Sequence, residues 1–367
     1  MHSPNALPPP RIAHAVERLR ARLRRLAQRL APAPIGVLEL AEGWLMTQAL
    51  YTAAALGIAD VLADGPCSAE RIAAAVHADP DATYRLLRAL ASRGVFAELP
   101  ERRFALTPMA DTLRANSPRT VRPVLMMLGH PAVWVARGQL VHTVETGRSG
   151  HELAHGTTGF DYMAEHPDFA MGFHEAMKVT TQLSVGAILA AYDFARFDRI
   201  VDVGGGSGYL LAAILRAAPC ANGVVYDLDS ATATTAEIFD RAGVADRGAI
   251  ENGSFFDSAP PGADAYVLKH IIHDWPDEPA GKILRSVRAA IAPHGRLLLI
   301  ECVVPPRNRA HFSLWLDLEV LLSIGGRERT AAEYADLLAR GGFRLRRVVA
   351  TAGPHSIIEA VPDVGES

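Results

Sequence analysis

The hydrophobic pattern of the chain changes character near residue 199. From there on, short apolar runs of strand length alternate with helical stretches. The apolar runs cover residues 199–203, 223–228, 265–271 and 296–304, and the helical stretches lie near 208–218, 230–242 and 277–292. Alternation of this kind predicts a doubly wound, Rossmann-like parallel sheet. The last runs, 343–349 and 356–361, leave no room for a helix between them, so we expect an antiparallel hairpin at the sheet edge.

Residues before 199 have a mainly helical pattern. A proline-rich tail precedes an arginine-rich stretch at 11–30, whose apolar side chains recur at steps of four and three. These side chains are Ile12, Val16, Leu19, Leu23, Leu26 and Leu30. Such a seam predicts a helix that packs on the protein itself or on a partner subunit. A membrane-surface helix or an organelle presequence is the alternative.

A compact unit follows a helical stretch at 35–63. Ser68 and Asp79 are positioned to cap two short helices, and extended pieces at 95–98 and 104–106 come next. Helix, helix and two-stranded wing is the winged-helix pattern. The basic side chains of its second helix are few, which favours packing or dimerisation over DNA binding.

The pattern divides the chain into four segments. They are the tail and arginine-rich helix at 1–34, a winged-helix dimerisation domain at 35–118, a helical linker and pocket segment at 119–195, and the doubly wound domain at 196–367. The fold class is therefore α/β with an N-terminal helical domain.

Composition narrows the class of protein further. The net charge is −3, which gives no reason to expect a nucleic acid or a membrane as partner. No apolar run approaches the ~20 residues that span a bilayer. Because the cysteines Cys67, Cys220 and Cys302 are scattered and odd in number, we expect neither a disulfide framework nor a zinc site, and we expect a cytoplasmic protein.

A glycine-rich loop at 202–208 follows the first strand of the sheet and opens a helix. Its glycines fall at Gly204, Gly206 and Gly208, a spacing that differs from the G-x-G-x-x-G of dinucleotide sites, and no P-loop lysine follows. Asp202 before the loop suits a ligand with an ammonium group. Asp227, at the end of the second strand, can bind both ribose hydroxyls, although Asp229 lies on the same face and competes. Ammonium, ribose and adenine together describe S-adenosylmethionine.

Candidate acid–base residues lie at the carboxyl edge of the same sheet, where doubly wound folds bind ligands. His273 comes as the fourth strand stops, and His270 is expected still within that strand. Glu301 ends the fifth strand, and Glu328 lies in a loop ahead of the last helix. Two carboxylates that converge on an imidazole would hold its tautomer and stabilise its protonated form.

The proton-transfer energy limits the acceptor. Moving a proton from a phenol to an ordinary imidazole costs roughly 5 kcal/mol. An aliphatic hydroxyl would cost about 12–13 kcal/mol. A phenol or enol is therefore the expected acceptor.

Three motifs carry a family resemblance over nearly the whole chain. The segment Val-Asp-Val-Gly-Gly-Gly-Ser-Gly ends at residue 208, Lys-His-Ile-Ile-His-Asp-Trp covers 269–275, and Gly-Gly-Arg-Glu-Arg-Thr covers 325–330. In combination they resemble small-molecule O-methyltransferases of the plant caffeic acid type and the bacterial antibiotic-tailoring type. The resemblance implies a homodimer, a small aromatic hydroxyl-bearing acceptor, metal-independent methyl transfer and S-adenosylhomocysteine as product.

The candidate site follows from the residues and the resemblance together. The catalytic set is His273, Glu301 and Glu328. The cofactor set is Asp202, Gly204, Gly205, Gly206, Gly208, Asp227, Ser254, Phe255 and Lys269. The substrate-pocket set is Phe173, Met177, Asp274 and Glu319.

Two positions depart from the family pattern. Ser254 stands where the family usually has an acidic residue for the adenine amino group, so Asp257 is an alternative partner. Glu319 stands where bacterial relatives often have a small amide, and it either faces the substrate or lies on a helix surface.

Two rival functions remain open. One is a tailoring reaction other than methyl transfer, such as hydroxylation or decarboxylation, on the same cofactor-binding fold. The other is a winged-helix regulator that responds to a small ligand.

Overall fold

The structure is a computed structural model that describes residues 8–363, so the first seven residues of the proline-rich tail lie outside it. The chain forms two compact units. One, here called the sheet unit, contains the residues up to 23, 136–165 and those from 181 onwards. The other, the helical unit, contains 24–135 and 166–180. The segment 119–195 thus contributes to both units.

The first part of the chain is mostly helical. Its elements are α1 (Pro10–Leu30), α2 (Ala33–Ala41), α3 (Gly43–Ala55), α4 (Ile58–Val61), β1 (Cys67–Ser68), α5 (Ala69–Ala75), α6 (Pro80–Ser92), β2 (Phe96–Leu99), β3 (Arg103–Leu106), α7 (Pro108–Asp111), α8 (Arg122–Gly129) and α9 (Pro131–Arg137). The predicted stretch at 35–63 is three helices: α2 gives way to α3 at Glu42, and the left-handed backbone of Gly57 (φ 69°) precedes α4.

The predicted order of helix, helix and wing in the helical unit is confirmed. Ser68 Oγ accepts the Arg71 N–H at 3.3 Å, and an Asp79 carboxylate oxygen accepts the Ala82 N–H at 2.8 Å, so both predicted caps form. The prediction of a two-stranded wing is incomplete, because β1 pairs with β3 and the sheet has three strands in the order β1-β3-β2. A strand of two residues is too short to show an alternating pattern in the sequence.

The arginine-rich helix is present as α1, and its apolar seam is exposed. The six seam side chains are 50–81% accessible to solvent in the single chain. Their packing on a partner subunit stays a prediction. Among residues 8–363, no helix is long and apolar enough to cross a membrane.

The rest of the chain builds the sheet unit and its helices. The elements are α10 (Leu140–Thr146), α11 (Gly150–His155), α12 (Gly159–Glu165), α13 (Pro167–Ala191), β4 (Arg199–Val203), α14 (Tyr209–Ala217), β5 (Asn222–Asp227), α15 (Asp229–Thr232), α16 (Thr235–Ala242), β6 (Gly248–Asn252), β7 (Ala265–Lys269), a 3₁₀ turn (Ile272–Asp274), α17 (Asp277–Ala290), β8 (Arg296–Glu301), α18 (Ser313–Ile324), α19 (Ala331–Arg340), β9 (Phe343–Ala350) and β10 (Ser356–Pro362).

The seven strands lie in the order β6-β5-β4-β7-β8-β10-β9, with β4 to β8 parallel and the last two antiparallel. The predicted doubly wound sheet and edge hairpin are both confirmed. Side chains of β7 alternate between two cores, with Tyr266 and Leu268 facing α17 and α19, and Val267 facing α14 and α16. Helices therefore cover both faces, as the apolar runs require.

Two strands end earlier than predicted. The apolar run at 265–271 leaves the sheet after Lys269, and the run at 296–304 leaves it after Glu301. The prediction that His270 lies within a strand is therefore wrong, because His270 follows β7 and has a left-handed backbone with φ 55°. The isoleucines that follow continue the apolar pattern, but they belong to the chain that turns into the 3₁₀ turn, so periodicity alone could not locate the strand end.

We expect Gly208, at the start of α14, to tolerate no side chain. Its φ is 72°, and an added Cβ would lie 2.6 Å from Thr235 Cγ2. Gly208→Ala should lower the free energy of unfolding by about 1–2 kcal/mol for the left-handed backbone and by about 1–3 kcal/mol more for the overlap. Urea titration of the ligand-free protein measures the loss. Gly243→Ala is the matched control, because Gly243 has φ 67° and open space around it. Equal losses in the two variants would contradict the packing argument.

Candidate active site

The carboxyl ends of β4, β5, β7 and β8 meet at one edge of the sheet, and most predicted site residues follow these strand ends. The glycine loop follows β4, Asp227 ends β5, Lys269 ends β7 and Glu301 ends β8. This edge is where open parallel sheets bind their ligands.

The glycine loop has a backbone that other residues would strain. Gly204, Gly206 and Gly208 have φ values of 69°, 53° and 72°. A Cβ at Gly204 would collide with the Ile271 side chain and would lie 3.6 Å from Phe255 Cε1. A Cβ at Gly205 would lie 2.9 Å from the Asp202 carboxylate. The loop thus lies tightly between Asp202 and the chain that follows β7.

Asp202 carries a buried carboxylate with an unused oxygen. The residue is 1% exposed, and its Oδ2 has no hydrogen-bond partner among residues 8–363. Burial, reinforced by the charge of Asp227, raises the pKa of Asp202 to about 7. An unpaired buried carboxylate is costly, so this position suits a cationic ligand group.

The two ribose candidates, Asp227 and Asp229, make different contacts. Asp227 Oδ2 accepts the Gly206 N–H at 2.9 Å, which ties Asp227 directly to the glycine loop. Asp229 begins α15, and its carboxylate accepts from Asn252 Nδ2 at 2.7 Å. Both carboxylates are thus engaged: Asp227 also accepts the Leu228 N–H at 2.7 Å and lies at the glycine loop, whereas Asp229 contacts the neighbouring strand end.

The turn after β6 contains the two predicted adenine residues. Ser254 Oγ accepts the Phe256 N–H at 3.2 Å, so this hydroxyl has a structural partner. Phe255 packs on Phe256 at a ring distance of 5.0 Å and lies near the glycine loop. Asp257 is exposed.

His273 lies in the 3₁₀ turn and is 4% exposed. Its Nδ1–H donates to Glu328 Oε1 at 2.7 Å, a charge-assisted hydrogen bond to a buried carboxylate. Its Nε2 lies 3.2 Å from Asp274 Oδ1, and the Asp274 side chain is 21% exposed. The Nδ1 side is thus closed by Glu328, and Nε2 faces the partly exposed carboxylate of Asp274.

Glu301 supports the turn through the backbone. Its Oε1 accepts the N–H groups of Ile271 at 3.3 Å and Ile272 at 3.0 Å, while Oε2 has no partner in the part of the chain that the structure describes. Glu301 therefore holds the chain just before His273 and contributes a buried charge. It does not hydrogen-bond to the imidazole as Glu328 does.

These carboxylates change the protonation of His273. Burial alone would lower its pKa, but the charges of Asp274 and Glu301 and the hydrogen bonds to Asp274 and Glu328 raise the His273 pKa well above its usual value. Burial raises the pKa of Glu301 to about 7 and also raises that of Glu328. Asp274, Glu301 and Glu328 together favour the protonated form of the His273 imidazole.

Arg329 is a functional residue that the sequence reasoning missed. It is 1% exposed, and its guanidinium donates to the carbonyl oxygens of Ile272 at 3.1 Å and Trp275 at 2.8 Å. It also donates to Asp277 Oδ1 at 2.9 Å, at the start of α17. Arg329 thereby fixes the 3₁₀ turn to the loop that carries Glu328. Its place beside Glu328 in the third motif was the available signal.

An aromatic wall lies next to this turn. Trp275 stacks on Phe160 at 5.0 Å and makes an edge contact with Phe256 at 4.8 Å. Flat apolar surfaces beside a buried acid–base group are typical of aromatic ligand sites.

The predicted substrate-pocket residues fall in different places. Asp274 lies at His273, and Glu319 on α18 pairs with Arg137 at 2.9 Å. Phe173 and Met177 lie on the part of α13 that belongs to the helical unit. Their contact with an acceptor stays a prediction.

Lys269 is the last predicted cofactor residue, at the end of β7. Burial lowers the pKa of its ammonium to about 8, and the carboxylates of Glu301 and Asp202 act in the opposite direction. Lys269 thus lies between the acid–base cluster and the glycine-loop carboxylate.

Comparisons with known proteins agree over most of the chain. The family model of the O-methyltransferase domain matches residues 138–344, and that of the O-methyltransferase dimerisation domain matches residues 38–116. The phenazine O-methyltransferase of Lysobacter antibioticus is 40% identical over 326 residues, which are 89% of this chain and 95% of that protein. The O-demethylpuromycin-O-methyltransferase of Streptomyces alboniger is 38% identical over 333 residues, 89% of this chain and 88% of that protein.

A solved structure of an O-methyltransferase matches this chain over most of its length. The crystal structure of an O-methyltransferase from neocarzinostatin biosynthesis, in complex with S-adenosyl-L-homocysteine and 1,4-dihydroxy-2-naphthoic acid, has a TM-score of 0.75 and 33% identity. The match covers 86% of this chain and 96% of that chain. The glycine loop, the unpaired Asp202 carboxylate and Asp227 fit the ammonium and ribose of that cofactor. The chain accordingly belongs to the S-adenosyl-L-methionine-dependent O-methyltransferase family.

Proposed function

We propose that this protein methylates an acidic hydroxyl, phenolic or enolic, of a small aromatic natural product, with His273 as general base and without a metal ion in the reaction. The observation that carries the proposal is the buried hydrogen bond from His273 Nδ1 to Glu328, which leaves Nε2, beside the partly exposed Asp274, to take the proton. The named relatives, which act on a phenazine and on O-demethylpuromycin, support an acceptor of this class. The matched dimerisation domain supports a homodimer.

We assign cofactor binding to the strand ends. When bound, S-adenosylmethionine supplies an electrophilic methyl group on a sulfonium. Asp202 would take the amino-acid ammonium, Asp227 the ribose hydroxyls, and Lys269 would bound the site beside the glycine loop. Phe255 would line the adenine. Ser254 is engaged by the backbone of its own turn, which leaves Asp257 as the available carboxylate for the adenine amino group.

The raised pKa of His273 supports the role of a base. Each unit of increase removes about 1.4 kcal/mol from the cost of moving a proton from the acceptor to the imidazole. His273 Nε2 would take the hydroxyl proton, and Glu328 would stabilise the resulting imidazolium through Nδ1. A phenol therefore becomes accessible, while an aliphatic alcohol remains about 8 kcal/mol harder.

The same contacts support a reaction without a metal. Ligand atoms of His273, Glu301 and Glu328 lie within 4.8 Å of one another, so these residues could in principle hold a cation. However, Glu328 is engaged with His273 Nδ1, and Glu301 Oε1 holds two backbone N–H groups. A metal bound to His273 would either displace the hydrogen bond of Nδ1 to Glu328 or occupy Nε2, the nitrogen assigned to the base.

Replacing the base tests the proposal. His273→Ala should lower the rate of methyl transfer to a phenolic acceptor by roughly 10²–10⁴-fold. Transfer of labelled methyl from S-adenosylmethionine, followed by mass spectrometry of the product, measures this loss. His294→Ala, on an exposed position outside the site, is the matched control and should keep the parental rate. Near-parental turnover of His273→Ala would show that His273 is not the general base. A product hydroxylated or decarboxylated without methyl gain would contradict methyl transfer itself.

The pH profile should show the effect of Glu328. Because the neutral imidazole is the active form, kcat/KM should rise with pH and level off only above the raised pKa of His273. Glu328→Gln removes a charge that raises this pKa, so the rising limb should move to lower pH and the plateau should fall. Both enzymes are assayed with the same acceptor, so that its own ionisation cancels. If kcat/KM rises at the same pH in both enzymes, Glu328 does not raise the pKa of His273.

Cofactor binding should follow the charge of Asp202. Because the ligand-free pKa of Asp202 is about 7 and an ammonium needs the carboxylate, affinity for S-adenosylhomocysteine should fall as pH drops below about 7. Calorimetry in two buffers of different ionisation enthalpy should detect proton release near pH 6.5. Asp202→Asn should weaken binding and abolish this acidic limb, whereas the exposed control Asp240→Asn should not. An unchanged acidic limb in Asp202→Asn would contradict the assignment.

A further inference from the structure

A second cluster of ligating side chains lies at the same sheet edge, outside the proposed catalytic set. His270 follows β7, Cys302 follows β8 and His355 precedes β10. One ligating atom of each residue lies within 4.8 Å of the other two. Because β7, β8 and β10 are neighbours in the sheet, the fold brings together three residues that are far apart in the sequence.

The two imidazoles of the cluster are joined by a hydrogen bond. Their Nε2 atoms lie 2.7 Å apart, so one ring donates and the other accepts.

This hydrogen bond leaves His355 incompletely paired. His355 is 6% exposed, and its Nδ1 has no partner among residues 8–363. When His355 donates from Nε2, Nδ1 is a buried lone pair with nothing to accept. Buried polar atoms of this kind are normally paired, so an unpaired ring nitrogen on a residue of this cluster points to a missing cation.

The third ligand is a buried thiol close to carboxylates. Cys302 is fully buried, and it lies within electrostatic range of Glu328, Glu301 and Lys269. A metal ion bound to this thiol would replace its proton.

We propose that His270, Cys302 and His355 form a binding site for a divalent transition metal of the zinc type. One sulfur and two imidazole nitrogens are ligands that Zn²⁺ prefers, and three protein ligands leave a fourth position for water. His270 is half-buried, which gives that position a route to solvent. Binding releases the thiol proton of Cys302 to solvent, and no oxidation is involved. The site adjoins the base, since the His270 and His273 ring centroids lie 4.7 Å apart, but it uses other residues and does not rest on the proposed function.

Cobalt is the probe for this site. Co²⁺ is added to the full-length, reduced and chelator-treated protein, and the absorption of a cobalt–thiolate bond is recorded. We expect one equivalent of Co²⁺ to give a thiolate charge-transfer band, and one equivalent of Zn²⁺ to remove it, since zinc binds such sites more tightly. Absence of the band in the parental protein would overturn the proposal.

Variants assign the band to the three residues. Cys302→Ser should abolish it, and His355→Asn should weaken Co²⁺ binding by more than about tenfold. The control is the double variant Cys67→Ser/Cys220→Ser, which should keep the band because Cys302 is then the only thiol. A band that survives in Cys302→Ser, or one that the control loses, would place the metal at another thiol and contradict the site.

Methyl transfer separates this proposal from the proposed function. Metal-free Cys302→Ser should retain the parental rate, because Cys302 is not part of the proposed catalytic set. Cobalt binding without a thiolate band, lost in His273→Gln, would place the metal at the His273 cluster. That result would contradict both the new site and metal-independent transfer. Circular dichroism of each variant excludes loss of fold as the cause.

Discussion

The burial of carboxylates at one edge of the parallel sheet is the constraint on which the site depends. Asp202, Glu301 and Glu328 are each at most 3% exposed, and each has an oxygen without a partner in the part of the chain that the structure describes. A buried carboxylate is tolerated when a cationic group or hydrogen-bond donors compensate its charge. The fold supplies part of this compensation from Lys269 and His273, and the ammonium of the cofactor is suited to supply more at Asp202.

The buried carboxylates also determine the protonation of His273. Around His273 the carboxylates favour the protonated imidazole, which is the form that a general base reaches after it has taken a proton. Arg329 makes this arrangement geometrically stable, because it fixes the carbonyl oxygens on both sides of His273 while Asp317 accepts the Glu328 N–H at 2.8 Å. Base and orienting acid come from different loops, so their hydrogen bond depends on these backbone anchors.

The sequence predicted the features that depend on local chemistry. The glycine loop needs residues that adopt positive φ, and the caps of α5 and α6 need short polar side chains, so both leave direct traces in the sequence. The sheet could be predicted because apolar runs alternate with helices. The end of β7 could not, since the apolar run continues into the turn and the left-handed backbone of His270 has no sequence signature. Arg329 was missed for a similar reason, as its partners are carbonyl oxygens that any residue provides.

Contacts that depend on which strands are neighbours in the sheet are the hardest to predict from a sequence. The scattered cysteines gave no reason to expect a metal site, because a ligand set is usually recognised by close spacing. Here the antiparallel return of β10 beside β8 pairs Ser356 with Glu301, and so brings the preceding His355 to the edge where Cys302 and His270 lie. A parallel last strand would have carried its start to the opposite edge. The direction of one strand thus decides whether three distant residues can share a ligand, and hairpin topology, rather than residue spacing, creates the second cluster.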